Sequence, residues 1–263
     1  MKTEMKKLMM LSLVALVAMT MTSCMHVKIG DKDWSLGSHT NDTPTQVHQV
    51  GKATAMSPFD QVDVAGPFNV ILEQGDSNTV RVEGTTEQLS KITIYVKDGS
   101  LYIDERKQED SDIFNGMQIF VTCPMVKGIE IAGSGTVTTP QALNVKDIYI
   151  EVAGSGRVTL AKMTAQDVKC EIAGSGDITI GMLQANEVRN EIAGSGNIDI
   201  AGLTCKNVKN EIAGSGDIVL SNINVDHVKT EIAGSGDVTL RGKIGTHDED
   251  IAGSGGVHIN EKK

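Results

Sequence analysis

The sequence predicts an all-β protein: a right-handed parallel β-helix, or solenoid, with about 20 residues per coil, preceded by a smaller β subdomain. Three observations carry this. A pentapeptide of the form Ile-Ala-Gly-Ser-Gly recurs at a nearly constant interval through the second half of the chain. Apolar and polar residues alternate with period two between Phe59 and Glu130. No stretch shows the 3.6-residue period of an amphipathic helix.

The chain opens with Lys2, Lys6 and Lys7, an apolar run from Leu8 to Met21, and then Thr22-Ser23-Cys24. This reads as a leader peptide over residues 1–24. The run is shorter than the ~20 residues that cross a bilayer core. Small residues directly before a cysteine form a lipoprotein cleavage box, so Cys24 is the expected lipidation site. Acyl chains contribute ~0.8 kcal/mol per buried methylene and would hold the mature protein on a membrane. Loss of the three lysines and Glu4 moves the formal charge from −10 to −12. A surface that acidic repels phosphate backbones, which excludes nucleic acid as a natural partner. The other three cysteines, Cys123, Cys170 and Cys205, have no metal-type or redox spacing and read as small core residues.

Residues 25–55 are polar and largely aperiodic and are expected to form a tether. Residues 56–129 carry the alternating runs Gln61-Val62-Asp63-Val64, Phe68-Asn69-Val70-Ile71-Leu72, Val80-Arg81-Val82, Ile92-Thr93-Ile94-Tyr95-Val96, Leu101-Tyr102-Ile103 and Met117-Gln118-Ile119-Phe120-Val121. These are strands of an N-terminal β subdomain that caps the first coil, since a bare solenoid end would expose apolar surface. Asp98-Gly99 supplies residues that tolerate positive φ and marks a hairpin, and Gln74-Gly75-Asp76 marks a turn.

Residues 130–263 are the repeat. The motif begins at Ile131, Val152, Ile172, Ile192, Ile212, Ile232 and Ile251, at intervals of 21, 20, 20, 20, 20 and 19. Seven copies at one period mean one unit stacked on itself, each coil burying its neighbour's apolar face. Three short β faces per coil fit this length, with coils ~4.8 Å apart, and parallel crossovers are right-handed in nearly all cases. Val168, Cys170, Ile172, Ile178 and Ile180 point inward by the alternation of strand side chains. Asn190 and Asn210 share that inward register one coil apart, where amides can hydrogen-bond along the axis. The two glycines permit a sharp corner.

Stacking turns each repeat position into a ladder. Glu130, Glu151, Glu171, Glu191, Glu211, Glu231 and Asp250 form an acidic one, of which Glu171, Glu191, Glu211 and Glu231 are candidate binding residues. Lys169, Arg189, Lys209 and Lys229 lie two positions earlier and are expected to neutralise it. Asp177, Asn197, Asp217 and Asp237 form a second ladder after the corner. Calcium is one reading of Asp177, Asp217 and Asp237, and capping of the turn backbone is the plainer one. His227 and His247 are expected to stack at equivalent positions beside Asp226 and Asp248, a metal pair at most. No cofactor is implied. Repetition of like carboxylates argues against an active site, which places unlike groups together, although some β-helices cleave polysaccharides with paired carboxylates.

Pro67-Phe68-Asn69-Val70, the Gln74-Gly75-Asp76 turn, Lys97-Asp98-Gly99-Ser100-Leu101 and the repeated Ile-x-Gly-Ser-Gly-Asp-Ile/Val resemble the putative auto-transporter adhesin head GIN domain family over about Phe59 to Asn260. The resemblance implies a β-solenoid head on an envelope protein of Gram-negative bacteria, with no catalytic residues to carry over. No autotransporter barrel follows the repeats, so the lipid anchor is the expected attachment, to the outer membrane on its surface or periplasmic face. The expected function is that of a non-enzymatic, adhesin-like module presenting a solenoid face to a protein or glycan. A structural assembly protein of the envelope and a polysaccharide lyase or hydrolase are the alternatives.

Overall fold

The structure is a computed structural model that describes residues 26–29, 32–35, 47, 49–107 and 111–260, with side chains from residue 47 onward. The leader with Cys24, most of residues 36–48 and the terminal Glu261-Lys262-Lys263 lie outside the described residues. The chain divides into two compact units, Met1–Thr43 and Pro44–Lys263. In the first, β1 (His26–Ile29) pairs antiparallel with β2 (Lys32–Ser35). The expected tether is therefore structured in part. Val27 and Ile29 alternate with polar residues before the turn-prone Gly30-Asp31, a strand signal that average composition hides.

The far end of that tether is structured too, as part of the second unit. Val47 is buried, the Gly51 N–H donates to the Val82 carbonyl at 2.7 Å, and the Met56 N–H donates to that of Asn78 at 2.9 Å. Between them β3 (Thr54–Ala55) pairs antiparallel with β6 (Thr79–Glu83).

A single sheet system runs through the second unit. β4 (Gln61–Ala65) and β5 (Asn69–Gln74) make the first coil. The chain then leaves the stack through β6, a short helix α1 (Thr86–Lys91) and β7 (Ile92–Lys97) before laying a second coil from β8 (Ser100–Glu105) and β9 (Gln118–Cys123). β8 pairs parallel with β4, and β9 with β5. β10 (Gly128–Gly133) then returns to the opposite edge of β4, and β11 (Thr136–Asn144) to that of β5. The first coil in sequence is thus the second in space. β6 and β7 close the end by pairing antiparallel with β9 and β8. The expected boundary at 129/130 is consequently no break in the sheet: the cap and the repeats share continuous ladders. Asp98 and Gly99, with φ of 51° and 84°, turn the β7–β8 hairpin as expected. The helix was not expected from periodicity because six residues are too short to show a period. Its signal is the capping box in which Thr85 and Gln88 satisfy each other's backbone N–H groups.

Beyond the cap the coils follow one another: β12 (Asp147–Gly154), β13 (Arg157–Thr164), β14 (Asp167–Gly174), β15 (Asp177–Gln184), β16 (Glu187–Gly194), β17 (Asn197–Ile200), β18 (Leu203–Gly214), β19 (Asp217–Gly234), β20 (Asp237–Gly253) and β21 (Gly256–Asn260). Every neighbouring pair is parallel, and from β14 through β19 the register holds at one period, so that Val168, Val188, Val208 and Val228 form one inward column and Ile172, Ile192, Ile212 and Ile232 another. Burial alternates along β15, then changes phase at Gly181-Met182, between inward Ile180 and inward Leu183, where the coil turns. These columns are the core.

The Gly-Ser-Gly corner is what lets the coils stack. Its first glycine has φ between 115° and 144° in all seven copies, a region L side chains rarely adopt. Its carbonyl accepts the N–H of the serine one coil on, at 2.8–2.9 Å from Gly133 through Gly234. A Cβ at Gly214 would land on the Gly194 carbonyl oxygen, whereas one at Gly202 meets nothing closer than 3.6 Å. Gly214→Ala is therefore expected to cost more than about 3 kcal/mol, strain and overpacking acting together. Gly202→Ala should stay within about 0.5 kcal/mol. Urea denaturation of the two variants checks both.

Candidate functional site

The acidic ladder forms as the repeat predicts, and register extends it into the cap: Asp63, Glu130, Glu151, Glu171, Glu191, Glu211, Glu231 and Asp250 lie opposite one another in succession. Its two halves differ. Lys169 bonds Glu171 and Glu191 at 2.9 and 3.1 Å, Lys209 bonds Glu211 at 2.7 Å, and Lys229 bonds Glu231 at 2.6 Å. These pairs neutralise the candidate binding residues Glu171, Glu191, Glu211 and Glu231. Toward the cap the basic stripe is replaced by Tyr149, Gly128 and Gln61, two residues before Glu151, Glu130 and Asp63.

The chain's three tyrosines gather at this end. Tyr102 lies opposite Asp63 and stacks on Tyr95, with ring centroids 5.0 Å apart. The Tyr95 hydroxyl reaches Asp104 at 3.3 Å. The Tyr149 hydroxyl reaches Glu151 at 2.8 Å and Glu171 at 3.0 Å, and its ring faces Lys169. Burial pushes the Asp63 carboxyl up to about 7, against the hydroxyls of Ser100 and Tyr102 and aided by Asp104 and Glu151. One Asp63 carboxyl oxygen is buried without a hydrogen-bond partner. Glu130 is pushed up to about 8 by burial and then by Asp63, Glu151 and Glu171, so every charge acting on it is another carboxylate. Burial also raises Glu151, against the Tyr149 hydroxyl bond, and raises the Tyr149 phenol together with Glu151 and Glu171.

Asp63, Glu130, Glu151, Tyr102 and Tyr149 thus bring unlike groups together on the outer face of the ladder. The sequence places Glu130 and Glu151 in the acidic ladder but does not join them to Asp63 or to the tyrosines. The signal was present, because the position two before each glutamate ceases to be basic, but Asp63 joins the ladder only through the register of β4 on β10.

The other candidates fall differently. Asp177 accepts from Arg157 at 2.7 Å and Asn197 at 3.1 Å, which hold its carboxyl below the usual range. Asp217 and Asp237 accept the backbone N–H groups of Asp237 and Gly256 at 2.9 and 2.8 Å. The ladder caps the backbone one coil on. His227 and His247 do not stack. The coil ending at Ile251 is one residue short, the register shifts between Ser221 and Ile223, and His227 faces Thr246 while His247 falls opposite Val228. Among the described residues no group of three or more His, Cys, Asp or Glu is arranged to hold a metal ion. Burial pushes the thiols of Cys123, Cys170 and Cys205 up to about 12, which removes them as nucleophiles at neutral pH.

Coils of this length, Gly-Ser-Gly corners and an interwoven cap define a class of bacterial β-solenoid heads. The chain belongs to the family described as "Putative auto-transporter adhesin, head GIN domain", whose signature matches residues 58–221 and 209–261. Similar solved structures include a putative adhesin from Bacteroides fragilis, 24% identical, covering 79% of this chain and 95% of its own at a TM-score of 0.72. A putative lipid binding protein from Parabacteroides distasonis is 23% identical, covering 81% and 96% at 0.66. A putative adhesin from Parabacteroides merdae is 17% identical, covering 81% and 95% at 0.67. No curated protein matches the chain.

The raised carboxyls set a pH dependence. Folded Asp63 and Glu130 bind protons more tightly than their unfolded values of 3.8 and 4.5 allow. The stability this linkage adds is present at low pH and is lost as pH rises through about 7 and 8. Melting temperature should therefore rise as pH falls from 8.5 to about 5.5, a window that stays above the titration of Asp177 and Glu231, whose lowered values act in the opposite sense. Glu130→Gln should flatten the slope in a calorimetric pH series.

Proposed function

We propose that the chain is a non-enzymatic cell-envelope lipoprotein, held through Cys24, whose solenoid presents an adhesin-like binding face. The contact surface is the tyrosine and carboxylate patch at the capped end, and the ligand is a protein with an exposed cationic segment. One observation carries this: the acidic ladder is neutralised by lysines along the repeats, down to Glu151, on which Lys169 still acts, and no cation acts on Asp63 or Glu130. A lysine or arginine of a partner would complete the stripe that Lys169 begins, and tyrosines are favoured contact residues at such surfaces. Membership of an adhesin-head family and the fold shared with the Bacteroides fragilis protein support the class.

A second reading has one observation in its favour. Carboxyls at about 7 and 8 are poised for acid–base work, as in a glycan-cleaving solenoid. One experiment separates the two. The mature protein is applied to a glycan and matrix-protein array while intact cells are treated with external protease. Surface exposure with saturable, salt-sensitive binding that weakens about tenfold or more in Tyr149→Ala and Glu130→Gln is the expected result. Protection from protease with no binding overturns the adhesin reading, and glycan cleavage abolished by Glu130→Gln establishes the enzymatic one.

A further inference from the structure

The coils are close to interchangeable. Over four successive coils two inward columns are invariant, as valine at 168, 188, 208 and 228 and as isoleucine at 172, 192, 212 and 232. Corners and charged stripes repeat as faithfully. A chain that stacked one coil out of step, or exchanged a coil with a second copy, would keep nearly every one of these contacts. Loop-closure entropy opposes a 20-residue slip only weakly, because it grows slowly with loop length. Self-similarity that makes the fold easy to build also leaves its order underdetermined.

One inward column is not interchangeable. It runs Ile150, Cys170, Asn190, Asn210 and Thr230. Asn190 and Asn210 are fully buried, and the Asn190 Nδ2 donates to the Asn210 Oδ1 at 2.9 Å. The Asn190 Oδ1 and Asn210 Nδ2 have no hydrogen-bond partner. An apolar pair would fill the space without leaving polar atoms unpaired, so the amides are not there for stability. Their bond forms only when β16 and β18 are neighbours. Omission of either coil sets an asparagine against Cys170 or Thr230 and forfeits the bond in a dry interior, a penalty that disfavours the wrong register by roughly tenfold or more. A single buried asparagine in a coiled-coil seam specifies register in the same way, at a cost in stability.

We propose that Asn190 and Asn210 are the register key of the solenoid: they fix which coil stacks on which and keep the coils within one molecule. The test is refolding of the full mature chain from denaturant at several concentrations, read by size-exclusion chromatography and hydrogen exchange. Asn190→Val with Asn210→Val should melt no lower than the parent yet return a several-fold smaller share of native monomer, with the remainder as misregistered or coil-exchanged species. Cys170→Asn with Asn210→Val moves the pair one coil toward the cap and should restore the monomer. A double valine variant that melts lower, or that refolds to monomer in parental yield, overturns the proposal, as does failure of the relocated pair to rescue it.

Discussion

Everything in this molecule rests on a backbone hydrogen bond at a corner. From Gly133 through Gly234 the carbonyl of the first glycine in the Gly-Ser-Gly reaches the serine N–H one coil further on, and this contact continues the ladder through a bend where a sheet would otherwise end. It requires a positive φ, and from Gly154 onward the preceding coil's carbonyl leaves no room for a Cβ, so glycine is the residue that serves. Once the corners superpose, side chains one repeat apart must superpose as well. The core columns, the charged stripes and the asparagine pair are consequences of that alignment.

The capped end uses the same geometry with different residues. Gly66-Pro67-Phe68 occupies the corner of the first coil, Gly66 with φ of 132°, and its backbone pairs with Ala132 and Thr136 as a repeat corner would. Phe68 fills the interior there and meets Phe114 edge to face, with centroids 5.0 Å apart. Larger side chains thus fill this end of the stack, while the antiparallel strands β6 and β7 pair with β9 and β8, the last coil in space. Closure and the carboxylate patch share one location, because the strands that end the ladder also bring Tyr95 and Tyr102 toward Asp63 and Asp104.

How far the sequence discloses this depends on whether partners lie one period apart. The inward columns, the Lys169–Glu191 pair and the Asn190–Asn210 bond join residues about 20 apart, the other lysine–glutamate pairs join residues two apart on one strand, and constant spacing names all of those partners in advance. The patch escapes that reading. Glu130 meets Asp63 and Asp63 meets Tyr102 across separations that no repeat announces, since the chain lays β8–β9 and β10–β11 on opposite edges of β4–β5. A one-residue deletion in the last coil was enough to separate His227 from His247. The helix, built from a capping box and a single buried glutamine, carries too few residues for a pattern to emerge.

The invariance of the columns bears on descent as much as on folding. Because each 20-residue unit meets its neighbours through the same side chains, duplicating or deleting one unit lengthens or shortens the rod by ~4.8 Å while leaving its cross-section unchanged. Tyr95 and Tyr102 lie in the cap, outside the repeated segment, whereas Tyr149 stands on the repeat strand β12 next to it. The number of coils can thereby change without altering the strands β6 to β9 that close the stack.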